Sequence, residues 1–129
     1  MPQNSNSLTY KDLTTTFLNE FPEFRQAAEM DDSWQDSDGP LAGVFFARML
    51  KEFFERELFE RQKPDLVKRL FAFMERMALS KDEGIRGVLS TEILEYFGDD
   101  KELLIRARAL MLPKTLSLSH KIEKSWGRE

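Results

Sequence analysis

Between Leu41 and Leu58 the apolar residues recur three and four apart: Leu41, Val44, Phe45, Phe46, Met49, Leu50, Phe53, Phe54 and Leu58 form one wide stripe. Such spacing marks an amphipathic helix with one face in the core. A stripe of this width predicts the central helix of the molecule. It is expected to open at Gly39-Pro40, since proline loses nothing at a first helical position, and to break at Lys63-Pro64. Its other face carries Arg48, Lys51, Glu52, Glu55, Arg56, Glu60 and Arg61, with Glu52 four residues before Arg56 in the favourable order.

The same period recurs on either side. Tyr10, Leu13, Phe17 and Leu18 predict a first helix over 8–20 with Ser7 as its cap. Pro22 ends it and opens a shorter helix through Phe24, Ala27 and Ala28 toward Met30. Residues 31–39 (DDSWQDSDG) have the composition of a loop. After Pro64, the positions of Leu66, Leu70, Phe71, Phe73, Met74 and Met77 predict another helix. Ser80 to Glu83 reads as a capping box, Ser80 offered to an exposed N–H and Glu83 reaching back. The helix that follows carries Ile85, Val88, Leu89, Ile93, Leu94 and Phe97 and stops at Gly98. Asp99 or Asp100 caps a further helix through Leu103, Leu104, Ala107, Leu110 and Met111, which Pro113 ends or kinks. A last segment holds Leu118, Ile122 and Trp126, with Trp126 pinning it to the body and Gly127 as terminator.

Strands are not expected, for there is no long apolar/polar alternation, and no hairpin of the Asn-Gly or Asp-Gly kind is anticipated. The expectation is an all-α fold without a sheet: a single domain over 1–129, a compact bundle of six to seven helices, with residues 1–7 disordered. Residues 66–97, two helices around Ser80 to Arg86 with Asp82 four residues before Arg86, are similar to one helix pair of a HEAT-type solenoid. Some right-handed stacking of helix pairs is expected from that.

Composition supports a core without staples. The chain has 129 residues, 41% hydrophobic, with eleven Phe, six Met and no Cys. Disulfides and thiolate metal sites are thereby excluded, and a reducing compartment fits. No apolar run approaches the ~20 residues that cross a bilayer, and MPQNSNS lacks the basic and apolar regions of a secretory signal. A cytoplasmic location is expected.

Charge changes the picture more. Residues 1–64 hold 7 basic against 12 acidic side chains, a net −5, whereas residues 65–129 hold 12 against 11, a net +1. No Lys or Arg lies between Arg25 and Arg48, yet Glu29, Asp31, Asp32, Asp36 and Asp38 crowd around Trp34. An acidic surface with an aromatic in its midst can hold a basic partner, because opposite potentials speed encounter and the aromatic can anchor the contact. A solvated face is the plainer reading of such a cluster and carries equal weight. Trp34 suits two places equally, tucked inward as a loop anchor or exposed. Neither half has the large basic excess that nucleic-acid binding requires.

Reaction chemistry finds little support. His120 is the sole histidine, set in SLSHKIEK, where an exposed polar residue is the plain reading. No Glu-x-x-His pair, Walker loop, Gly-x-Gly-x-x-Gly or His-Glu-x-x-His occurs. Glu92 and Glu95 read as a solvated helical face, and Met49, Met74 and Met77 as core rather than as a Met-rich groove. The expectation is a protein that is not an enzyme and carries no cofactor or metal.

FPEF at 21–24, the acidic segment before a Gly-Pro-led aromatic helix, the block LFAFMERMALSKDEGIRGVLSTEILEYF and the closing IEKSWG together resemble a family of small, all-helical bacterial proteins. These are immunity-type proteins of polymorphic or contact-dependent toxin systems, and the likeness covers most of residues 17–127. It implies an immunity protein, monomeric when free, that neutralises a cognate toxin, expected to be a nuclease, by covering its basic active site. The likeness supplies a role and no site. The site residues follow from the charge pattern: Glu29, Asp31, Asp32, Trp34, Asp36 and Asp38. An adaptor or regulatory subunit that binds another protein through its helical surface is the alternative.

Overall fold

The computed structural model describes residues 8–129, so the expected cap Ser7 and the segment 1–7 lie outside the described residues. Among the described residues seven helices make up an all-α bundle. They are α1 (Leu13–Glu20), α2 (Arg25–Glu29, entered through a 3₁₀ turn at Pro22–Phe24), α3 (Ala42–Glu60) and α4 (Pro64–Ala78), then α5 (83–98), α6 (Lys101–Arg108) and α7 (Pro113–Ser125). Helix α5 is continuous but widens to a π-helical stretch over Leu89–Leu94. There Thr91 Oγ1 donates to the Gly87 carbonyl at 2.8 Å, a side-chain bond that competes with the regular ladder.

The core is aromatic. Phe17 of α1 stacks on Phe21 at 4.7 Å and meets Phe45, Phe46 and Phe73 edge-on at 5.1–5.7 Å between centroids. A second nucleus joins Phe54 of α3 to Phe71 of α4 and Phe97 of α5. Such tilted and edge-to-face contacts each add ~0.5–1.5 kcal/mol beyond area burial. Helix α3 is central as its stripe implies, packing against α1, α2, α5 and α6. Helices α4 and α5 pack on each other as one helix pair, and α7 closes over α4 and α5.

Several boundaries differ from the sequence reading, each for a local reason. Gly39-Pro40 does not begin α3. It pairs with Gln35–Asp36 as a two-residue antiparallel hairpin, so a minimal sheet exists where none was expected. Ser37-Asp38 supplies the turn, and Gly39 follows it at φ 119°, a value that only glycine adopts without strain. Helix α1 begins at Leu13, after a turn at 10–12, rather than at Leu8. Helix α3 ends at Glu60 with Arg61 in the left-handed conformation, φ 54°, so Pro64 opens α4 instead of breaking α3.

The cap of α5 is Asp82, which accepts from Gly84 N–H at 2.8 Å, while Ser80 accepts from Asp82 N–H; the expected box of Ser80 and Glu83 is not formed. Asp100, one of the two anticipated caps, accepts from Leu103 N–H at 3.1 Å. Gly98 is no left-handed terminator. An added Cβ would lie 1.9 Å from Glu123 Oε2, so glycine is required there by close approach of α7.

The buried face of α7 is polar: Thr115, Ser119 and Glu123. Glu75 of α4 accepts from Lys114 N–H at 3.0 Å, from Thr115 N–H at 2.9 Å and from the Thr115 hydroxyl at 2.8 Å, satisfying orphan donors of the first turn of α7. Arg108 donates to Ser119, and Arg128 donates to both carboxylate oxygens of Glu123 at 2.8 and 2.9 Å. These bonds hold the last helix. Trp126 does not: it is 59% exposed, with the Arg128 guanidinium over its ring.

Candidate partner-binding surfaces

The acidic interval of the sequence forms the loop and hairpin between α2 and α3. Trp34 turns inward, 8% exposed, its indole N–H donating to the Ala28 carbonyl at 3.2 Å and its ring edge-on to Phe45 at 5.0 Å. It is therefore the anchor of the loop, and a role as an exposed contact is corrected. Asp31 is also engaged. It accepts from the Ser33 N–H and hydroxyl at 2.9 and 2.6 Å and from Arg48 Nε at 2.8 Å. The Ser33 hydroxyl first, and Arg48 after it, hold the Asp31 carboxyl down at about 2. Arg48, which bounds the base-free interval in sequence, thus folds back and neutralises one of its acids.

Glu29, Asp32, Asp36 and Asp38 remain exposed, and none has an ion-pair partner among the described residues. The six residues singled out by the sequence therefore divide into two that build the loop, Asp31 and Trp34, and four that are displayed, Glu29 at the end of α2 and Asp32, Asp36 and Asp38 on the loop. The Leu41 N–H donates to the Trp34 carbonyl at 2.6 Å, and this bond closes the hairpin onto the start of α3. A rigid mount lowers the ordering cost of any contact these carboxylates make.

Elsewhere the acids serve structure. Asp82 and Asp100 cap helices, and Asp99 accepts from Arg128 at 3.0 Å. Glu57 is buried at the end of α3. Burial pushes its carboxyl upward, but the Lys63 N–H at 2.8 Å and Arg56 outweigh that and hold it below the usual carboxylate range. Burial, then Glu55, raises the Tyr96 phenol. His120 stands exposed on α7 beside Glu129. Among the described residues no three His, Cys, Asp or Glu side chains gather into a set that could hold a metal ion, and no helix is long and apolar enough to cross a membrane.

One surface escaped the sequence reading. Between α4 and α6 lies an open groove of about 990 Å³, walled by Leu58, Val67, Phe71, Ile105, Leu110 and Leu112. Helix α6 buries Leu103 and Ala107 but leaves Ile105 65% exposed. The only sequence signal was an apolar residue off the periodic face of α6, and periodicity alone cannot tell an exposed leucine or isoleucine from a buried one.

No curated protein and no solved structure matches the chain. A family model does match, over residues 14–127, and the chain belongs to that family, a domain of unknown function designated DUF7674.

Proposed function

We propose that this protein acts by binding, as a non-catalytic immunity protein that neutralises a cognate bacterial toxin in the cytoplasm, and that the displayed carboxylates meet a basic active site on that toxin. The observation that carries the reading is the α2–α3 connection: Glu29 at the end of α2 and Asp32, Asp36 and Asp38 on the loop after it are exposed and without ion-pair partners among the described residues, and Trp34 and the Asp31–Arg48 pair fix that loop. Unpaired charge on a rigid mount suits steering and covering of an oppositely charged cleft. The net −5 of residues 1–64 extends the same field, and the resemblance of residues 17–127 to immunity-type proteins supplies the role. A nuclease is the toxin class that fits best, because a phosphate-binding cleft is basic.

The test is growth rescue. The toxin domain encoded beside this gene is expressed alone and with the full chain. Protection by the wild type, and its loss when Glu29→Gln is combined with Asp32→Asn, Asp36→Asn and Asp38→Asn, is the expected outcome. A neighbouring product that the chain neither binds nor neutralises contradicts the reading. The adaptor reading draws on the groove between α4 and α6 rather than on the hairpin.

A further inference from the structure

We propose that the groove between α4 and α6 docks an amphipathic helix of a partner protein whose apolar edge is flanked by acidic side chains. This goes beyond the toxin reading and rests on a different surface of the opposite charge preference. Helices α4 and α6 face one another across the groove without packing closely, although α6 packs on α3 and α4 reaches α3 through its phenylalanine rings. The bundle thus has an open slot whose lining is mainly apolar with charged residues among it, the setting in which a helix lays its apolar face into a groove. Contiguous exposed apolar surface of this kind marks an interaction site. Ile105, Leu110 and Leu112 are 65%, 46% and 41% exposed on the α6 side, and the buried Leu58, Val67 and Phe71 complete the lining.

Charge at the mouth selects the partner. Arg61 and Lys68 line it and have no ion-pair partner among the described residues, whereas Glu102 is held by Arg106 at 3.0 Å and Glu57 is buried against the Lys63 N–H and Arg56. Asp65 is the one lining carboxylate left unpaired among the described residues. Two free cations against one free acid favour glutamate or aspartate beside the inserted residues and disfavour lysine. Arg61 is the C-terminal cap of α3, its backbone N–H bonded to the Glu57 carbonyl, so its Cα is held at the end of that helix.

The probe is a fluorescein-labelled synthetic helix of about 15 residues, the length at which isolated helices become tenable. It carries leucines at i, i+3, i+4 and i+7 with glutamates beside them, and a twin carries lysines instead. Each is titrated with the full chain by fluorescence anisotropy. The glutamate peptide is expected to bind, with the lysine twin at least about tenfold weaker. Ile105→Asp with Leu110→Asp, both exposed positions, removes binding while circular dichroism stays native. Arg61→Glu with Lys68→Glu inverts the preference between peptides. The Asp36→Asn, Asp38→Asn variant keeps peptide affinity, which separates this groove from the hairpin. Equal affinity for both peptides, or binding that survives Ile105→Asp with Leu110→Asp, overturns the proposal. So does self-association abolished by Ile105→Asp, which makes a second copy the occupant, or saturable binding of dodecanoate in the absence of peptide binding.

Discussion

Trp34 shows how one side chain converts a charged sequence into a defined surface. Its ring fills space against Phe45 and its indole N–H satisfies the Ala28 carbonyl. Trp34→Phe is expected to lose that bond and leave a small void, at about 1–3 kcal/mol in urea denaturation. Trp34→Ala should cost ~3–5 kcal/mol. Asp31 has a pH signature. Its carboxyl is held at about 2 by Ser33 and Arg48, against ~3.9 for an unfolded aspartate. A lowered folded value means that its contribution is full above pH ~4 and is lost as pH falls from ~4 to about 2. Trp34 fluorescence in a Trp126→Phe background should follow that window, and Asp31→Asn should abolish the dependence. The charge cluster was legible in sequence, yet its division was not. Whether an aspartate is displayed or consumed depends on Arg48, 17 residues away, and the fate of Trp34 depends on Phe45, a partner that only the fold brings near.

At the scale of elements, Glu75 couples two helices by capping α7 from α4. Glu75→Ala leaves two backbone donors and a hydroxyl without their acceptor, and an expected loss of about 1–3 kcal/mol can be read from the denaturation midpoint. Gly98→Ala should cost a similar ~1–3 kcal/mol through overpacking against Glu123, and Glu123→Ala made with it should recover part of that loss. Helix existence and facing were legible because the apolar stripes of α3 and α4 repeat over several turns. Ends were less so. The cap of α5 shifted from Ser80 to Asp82, and the Ser37-Asp38 turn passed unread because Gln35 to Pro40 lack the alternation that normally announces strands. The polar buried face of α7 was hidden for a related reason. Thr115, Ser119 and Glu123 are buried by virtue of Glu75, Arg108 and Arg128, partners supplied by other parts of the chain.

For the whole molecule, the distribution of charge and apolar surface matters most. The carboxylates of the α2–α3 loop belong to the acidic half of the chain, while Arg61 and Lys68 at the mouth of the groove between α4 and α6 have no ion-pair partner among the described residues. The proposed role as a binding protein rests on these two surfaces of opposite charge, and the hairpin carries the toxin reading. Exposed charges act chiefly on association rate and are screened by salt, with a Debye length of ~8 Å at physiological ionic strength. The most direct measurement is therefore the affinity of the purified chain for the product of the neighbouring gene, which the proposed function requires to be a toxin, by titration calorimetry at low and high salt. Wild type is compared with the variant that joins Glu29→Gln to Asp32→Asn, Asp36→Asn and Asp38→Asn, leaving Asp31 and Trp34 to hold the loop. Tight binding that weakens with salt, and a variant with lower affinity and a flatter salt dependence, is the predicted result. Unchanged affinity and unchanged salt dependence in the variant would contradict the account.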